Sequence, residues 1–392
     1  MNTPDPIRIL ANSHSAPRIK AELTRRGFVA ALGAFGTAGA LAACAGPQSG
    51  GGEGSADGEM ESTLAMYTWG DYDAPDVLTD FESENGVRLT VDSYGSNEEL
   101  ISKLSGARGT SGYDIVVPTG VYIGEMIAAG LLQKLDRAAL PNMDHVAPEY
   151  LGQPWDPENE YSVCKAVGTN GYLYDTTKID RELTTWDDFF DCAMNEASGR
   201  TSMLDDPQGI VGAYFWAKEY STNDNNAAHF DEAEDFLVNQ VASHISNFDS
   251  YPGSAAIPQS QQWLMQAWPN DARIGIMESS EPDKWKYVIG APNSELWMDN
   301  WCIAEGANSP VAAHAFINFV LDPEIAFRQM EYVGADTGTS GLKERAEEAG
   351  VEYPELIFFT PEQVATFRTV EITESQERFV DIWNKMKSRA AQ

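Results

Sequence analysis

Two short stretches place indole rings next to carboxylates: Tyr67-Thr68-Trp69-Gly70-Asp71-Tyr72 and Leu296-Trp297-Met298-Asp299. A primary ammonium needs both groups. The carboxylate accepts charge-assisted hydrogen bonds, and the aromatic face tolerates a partly desolvated cation and its methylene stem. A cation–π contact contributes ~0.5–2 kcal/mol and a hydrogen bond to a charged group ~1.5–3 kcal/mol. Two or three such sets reach micromolar affinity, about −8 kcal/mol. The competing reading is that Trp69, Trp268 and Trp297 fill the core and Asp299 sits in a surface turn. Adjacent Asp205-Asp206 raises a second chemistry, acid-dependent hydrolysis of a secreted glycoside, which needs two acids flanking the scissile bond at a set distance.

Other enzyme signatures are missing. The sequence has no GxSxG elbow, no HExxH, no GxxxxGK[ST] and no CxxC pair, so serine hydrolase, zinc protease, nucleotide and structural-zinc readings lose their support. The histidines at 14, 145, 229, 244 and 314 are scattered and read as ordinary surface or packed residues. No catalytic residue, cofactor or metal is expected.

These residues need a framework, and the composition supplies one. The chain has 392 residues, 43% of them apolar, enough for one or two packed domains. With 60 acidic against 26 basic side chains the formal charge is −34, which repels phosphate backbones and excludes nucleic acid as a partner. That charge suits a cationic ligand and equally suits solubility in salt.

Residues 1–43 read as an export signal. Thr24-Arg25-Arg26-Gly27-Phe28-Val29 resembles a twin-arginine motif, and the Ala/Gly-rich run from Ala30 to Ala43 is too short to span a bilayer. Leu41-Ala42-Ala43-Cys44 looks like a lipobox, with Cys44 the lipidated residue and residues 44–62 a flexible Gly/Ser-rich tether. The expected location is extracytoplasmic, on a lipid anchor. Cys164, Cys192 and Cys302 then form an odd set that allows at most one disulfide, with buried free thiols as the alternative.

From Leu64 onward the pattern alternates between strands and helices. Leu64–Trp69 predicts a strand, Pro75 opens a helix ending at Gly86, and Val87, Leu89 and Val91 alternate as a second strand. Ser96 and Glu99 predict a capping box. Tyr113–Pro118 predicts a buried strand, and a second α/β series begins after the Tyr161–Asn170 segment. Thr185, Pro207, Pro310 and Pro323 mark later helix starts, with Asn308-Ser309 capping the third of these. A long helix is expected from His229 to His244. A last one, about Thr373 to Ser388, carries Phe379, Ile382, Trp383 and Met386 on one face. The rhythm implies α/β architecture with parallel strands and crossover helices.

The order of the fragments resembles the bacterial spermidine/putrescine-binding proteins of ABC importers. It is carried by the YTWGDY segment, Ser93-Tyr94-Gly95-Ser96-Asn97-Glu98, Tyr113-Asp114-Ile115-Val116-Val117-Pro118, Leu204-Asp205-Asp206, Ala267-Trp268-Pro269-Asn270, Leu296-Trp297-Met298-Asp299 and Phe316-Ile317-Asn318-Phe319. The resemblance implies a two-lobed periplasmic-binding-protein fold (type II), with a ligand cleft between two α/β lobes joined by crossover strands. Lobe 1 is expected over 63–166 plus 299–338 and lobe 2 over 167–298 plus 339–392. It implies that Trp69 and Tyr72 line one wall, that Trp268 and Trp297 sandwich an alkyl chain, and that Asp206 and Asp299 bind amino groups. Expected partners are a polyamine and the permease and ATPase subunits of the importer, with the binding protein itself monomeric. Several positions depart from the family pattern. Val121 and Ala335 replace tyrosines, Gly209 a second acid, Cys164-Lys165 a Pro-aromatic pair and Val167 a tryptophan. They leave open another small amine, or an amphoteric solute whose carboxylate meets Lys165.

Overall fold

The computed structural model describes residues 58–107, 111–371 and 374–392; the predicted signal, Cys44 and most of the predicted tether lie outside these. Two sheets carry the architecture. The first contains β1 (Thr63–Trp69), β2 (Arg88–Tyr94), β3 (Ile115–Val116), β4 (Leu132–Gln133) and β5 (Ser162–Thr169), joined by two late strands. The second contains β6 (Gly171–Asp175), β7 (Thr201–Met203), β8 (Ile245–Phe248), β9 (Leu264–Ala267) and β10 (Trp285–Val288), in the order β10-β6-β9-β7-β8. The chain then returns to the first sheet through β11 (Ser294–Ala304) and β12 (Phe367–Thr369), giving the order β12-β11-β3-β1-β2, with β4 and β5 also paired to β11. Each sheet has its own hydrophobic core, one around Phe81, Trp301 and Phe316, the other around Trp186, Phe215 and Phe379.

Local sequence explains the helices that flank the sheets. In the first half these are α1 (Pro75–Asn85), α2 (Asn97–Ala107) and α3 (Gly120–Ala128). Proline opens α1, and Gly86 closes it in the left-handed region at φ 67°, where a Cβ would be strained. Ser96 Oγ accepts from Glu99 N at 3.2 Å, but the Glu99 carboxylate accepts from Gly95 N rather than from Ser96, so the predicted box closes one residue early. The second sheet is flanked by α4 (Trp186–Met194), α5 (Pro207–Ala217), α6 (Ala227–Glu234) and α7 (Pro269–Glu278). Thr185 and Asp188 cap α4 reciprocally, as expected. The last helices are α8 (Pro310–Val320), α9 (Pro323–Val333), α10 (Leu342–Ala349) and α11 (Gln376–Ala390). Phe379, Ile382 and Met386 of α11 are buried against the second core.

Four expectations need correction. Val91 is 40% exposed because β2 is an edge strand whose outer face meets water. The helix expected over 229–244 passes from α6 into a π-helical turn at Asp235–Val241 and a 3-10 turn at Ala242–His244. Ser309 makes no side-chain cap on α8. Instead Asp114 accepts from Asn308 N and Ser309 N, and Glu61 accepts from Ala312 N at 2.8 Å, its negative charge favoured at a helix N-terminus. The expected tether therefore ends in a docked residue. Cys164, Cys192 and Cys302 are buried free thiols, with no disulfide among the described residues.

The two sheets meet at the crossover. A single residue, Asn170, separates β5 from β6. β5 and β11 run antiparallel from the Leu296–Thr169 pair to the Cys302–Ser162 pair, with a register shift between Asp299 and Asn300.

Candidate functional site

The first wall of the site rises from the loop after β1. Tyr72 Oη donates to Asp299 Oδ2 at 2.8 Å, and Thr119 Oγ1 donates to Asp299 Oδ1 at 2.7 Å. Thr119 sits just before α3, and its hydroxyl accepts from Asn97 Nδ2 at 3.1 Å. That acceptor role commits its own proton to Asp299. Burial pushes the Asp299 carboxyl up to about 6, opposed by Thr119, Tyr72 and the charge of Lys165.

Lys165 lies behind this wall. Its Nζ is 2.5 Å from Asp73 Oδ1, both side chains are 3% exposed, and it donates to the Tyr72 carbonyl at 2.9 Å. It also stands 4.0 Å from the Trp301 ring centroid and 4.7 Å from that of Tyr72. Burial pulls the ammonium down and pushes Asp73 up, and the ion pair opposes both shifts. An ammonium so enclosed is not free to meet a ligand carboxylate, which removes the amphoteric-solute reading of Lys165.

Trp69 is half-buried, its ring 4.6 Å from that of Tyr94, and its buried Nε1 has no hydrogen-bond partner. Trp297 is fixed at the crossover, its Nε1 donating to Thr169 O at 2.8 Å. Its ring covers Gly168 so closely that a Cβ there would lie 2.1 Å from the indole. Trp268 is half-buried between β9 and α7, and the Ala267–Gly171 pair brings it next to Asn170. Trp268 and Trp297 make no ring-on-ring contact.

Asp206 caps α5, its Oδ2 accepting from Gly209 N at 2.5 Å. Burial first, then the charge of Glu98, raise its carboxyl to about 6. Asp205 turns the other way and accepts from Lys387 Nζ and Trp383 Nε1, each at 3.0 Å. The adjacent acids therefore diverge, and they do not form the facing pair that glycoside hydrolysis requires.

Asp206, Asp299 and the two flanking indoles thus gather around the crossover strands. Sequence reasoning missed Thr119, the Asp73 partner of Lys165, and Glu295. Glu295 is 9% exposed, and its carboxyl is pushed up to about 8 by burial and by Asp206. The available signal was the alternation Glu295-x-Trp297-x-Asp299, which in a strand puts all three on one face. Tyr122 Oη donates to Glu98 at 2.8 Å, so the residue after Val121 supplies a phenol at that wall. Ala335 is buried beside Ala166 and Val333, with Tyr72 and Trp297 packed on them.

Two sheets joined by crossover strands, with polar and aromatic side chains gathered at the junction, define a two-lobed periplasmic-binding-protein architecture of α/β class. The chain belongs to the bacterial extracellular solute-binding protein family, whose profile matches residues 76–356. It is 30% identical over 291 residues to a putrescine/cadaverine-binding protein of Pseudomonas aeruginosa, covering 72% of this chain and 81% of that one. It is 27% identical over 288 residues to the spermidine/putrescine-binding periplasmic protein of Escherichia coli, covering 72% and 79%. Among solved structures it resembles the substrate-binding protein of a spermidine/putrescine ABC transporter from Streptococcus pneumoniae, with TM-score 0.72, 26% identity, and 84% and 100% of the two chains covered.

Proposed function

We propose that this protein is the lipid-anchored, extracytoplasmic substrate-binding component of an ABC importer, capturing a putrescine- or spermidine-like polyamine between its lobes and handing it to the permease and ATPase assembly. The observation that carries the reading is a charge imbalance at the crossover. Asp206 and Glu295, both pushed up by burial, have no salt-bridge partner among the described residues, and Trp297 shares the strand face of Glu295. Ionising a buried carboxyl without a counter-charge is costly, and an entering ammonium removes that cost.

In this reading Asp299 and Asp206 receive amino groups, Trp297 and Trp268 flank the methylene chain, and Trp69 and Tyr72 line the opposite wall. Ligand favours the closed arrangement because only there are both walls touched at once. Lys165 does not repel an ammonium, since Asp73 already neutralises it. The relatives named for putrescine, cadaverine and spermidine support a polyamine over other amines. The lipobox at Cys44 and the twin-arginine segment support the anchor and the location. Titration calorimetry with putrescine, cadaverine, spermidine and spermine tests the proposal. At least one should bind at micromolar affinity or better, and absence of binding by all four overturns it.

A further inference from the structure

The family pattern expects a second acid where this chain has Gly209, and the surroundings of Gly209 explain why none stands there. A Cβ on this residue would lie 3.0 Å from both Asn170 Nδ2 and Asp206 Oδ2. A longer side chain would have to displace one of them. The space is already committed, yet a carboxylate reaches the same place from another element.

That carboxylate is Glu295. Its backbone is clamped at the crossover, Thr169 Oγ1 donating to Glu295 O and Ser294 Oγ donating to Asn170 O, each at 2.5 Å. The two-residue period of β11 puts Glu295 on the face that carries Trp297 and Asp299, with the register shift falling only after Asp299. At ~3.3 Å per residue the backbones of Glu295 and Asp299 are roughly 13 Å apart, with the indole between them. Asn170 is fully buried, and its amide faces the Glu295 carboxyl, whose charged form it favours. The same Nδ2 would meet a Cβ on Gly209 at 3.0 Å, so this amide links Glu295 to the Asp206–Gly209 corner and makes that corner polar rather than a packed apolar core.

We propose that Glu295 is a specificity-determining residue of this protein, supplying from the crossover strand the second carboxylate of the Asp206 subsite and taking one primary ammonium of a diamine jointly with Asp206. The assignment rests on the polyamine-binding reading above. Charged and titratable groups around Glu295 are few. Asp206 faces it from α5, Asp299 lies on its own strand, and Tyr122 and Glu98 approach from α3 and α2. Arg368, its register partner on β12, donates instead to Ala365 O and Phe367 O and makes no ion pair with it.

A chemical consequence follows. In the ligand-free site Glu295 holds a proton at neutral pH, because its carboxyl titrates at about 8. An arriving ammonium favours the carboxylate, so the proton leaves to solvent as the cation binds. Affinity for a diamine should then rise roughly tenfold between pH 6.5 and 8.5, while the amine itself stays protonated.

Calorimetry of the full chain with putrescine, in two buffers of different ionisation enthalpy at pH 7, counts the released protons. Wild type should release close to one. Glu295→Gln keeps the shape and hydrogen-bonding of the protonated side chain, so it should melt like wild type. It should bind at least tenfold more weakly at pH 8.5, lose the pH dependence and release far fewer protons. Asp271, another acid raised by burial, titrates at about 7 and accepts from Gly253 N; it could mimic the signal, so Asp271→Asn is the control and should leave the release unchanged. If wild type binds putrescine but Glu295→Gln matches it in affinity, pH profile and proton count, the assignment to Glu295 is wrong and the polyamine reading stands. Proton release lost in Asp271→Asn instead also overturns it. No binding of any polyamine by wild type removes both.

Discussion

The Lys165–Asp73 pair offers the sharpest test of how the site wall is held. Replacing Asp73 by Ala leaves an ammonium at 3% exposure with the Tyr72 carbonyl as its remaining hydrogen-bond acceptor and the rings of Trp301 and Tyr72 beside it. Removing one partner of a buried pair costs about 3–5 kcal/mol, because the survivor keeps its desolvation penalty without its counter-charge. The two ring contacts return ~0.5–2 kcal/mol each at best, and they exist already in the wild type. For a chain of this size that cost lowers the melting temperature by roughly 4–7 °C. The double variant Asp73→Ala/Lys165→Met, compared with Asp73→Ala and Lys165→Met alone, removes both charges and should recover most of the loss. Urea denaturation of the two singles and the double at pH 7 gives the coupling energy directly. A loss below about 1 kcal/mol for Asp73→Ala would mean that Lys165 is carried by water or by Asp299, and the picture of a self-neutralised wall would be refuted.

Three further outcomes are expected. Asp299→Ala and Trp297→Ala should each weaken diamine binding at least tenfold with little change in melting temperature, and unchanged affinity in both by calorimetry would remove the site assignment. Gly168→Val should displace the Trp297 ring, since even a Cβ would sit 2.1 Å from it; loss of binding with a shifted tryptophan emission spectrum is the expected signature. The ligand-free protein should lose stability as pH rises from about 4 to 8. Asp206 and Asp299 at about 6 and Glu295 at about 8 bind protons in the folded state that the unfolded chain has already released near 4, so folding is favoured at the acid end of that window. Melting temperatures measured from pH 5 to 8 should fall, and saturating putrescine should flatten the trend; a ligand-free melting temperature that rises across this range contradicts it.

Much of the framework was legible because its determinants are local. Pro75 with Gly86, and Thr185 with Asp188, write their helix ends in a few residues. Trp69, Tyr72, Trp297 and Asp299 stood out through aromatic–acid adjacency. What stayed hidden depends on pairings far apart in the chain: Tyr72 with Asp299 across 227 residues, Thr119 with Asp299 across 180, and Lys165 with Asp73 across 92. No periodicity announces these. Lys165 read as a cation open to a ligand carboxylate because only the fold brings Asp73 to it. Glu61 read as the end of a tether because α8 N–H groups reach it only after folding. Glu295 was overlooked since one acid in an apolar strand resembles an ordinary outward-facing residue until both of its faces prove covered.

Because Glu295, Trp297 and Asp299 ride on the strand that joins the sheets, they lie near the axis about which the halves would swing. Points close to an axle travel least. Their mutual spacing should hardly differ between the gaping and shut forms. A newcomer would therefore be weighed first against a fixed gauge and only afterwards enclosed, so that a molecule of the wrong length is turned away before the jaws have moved.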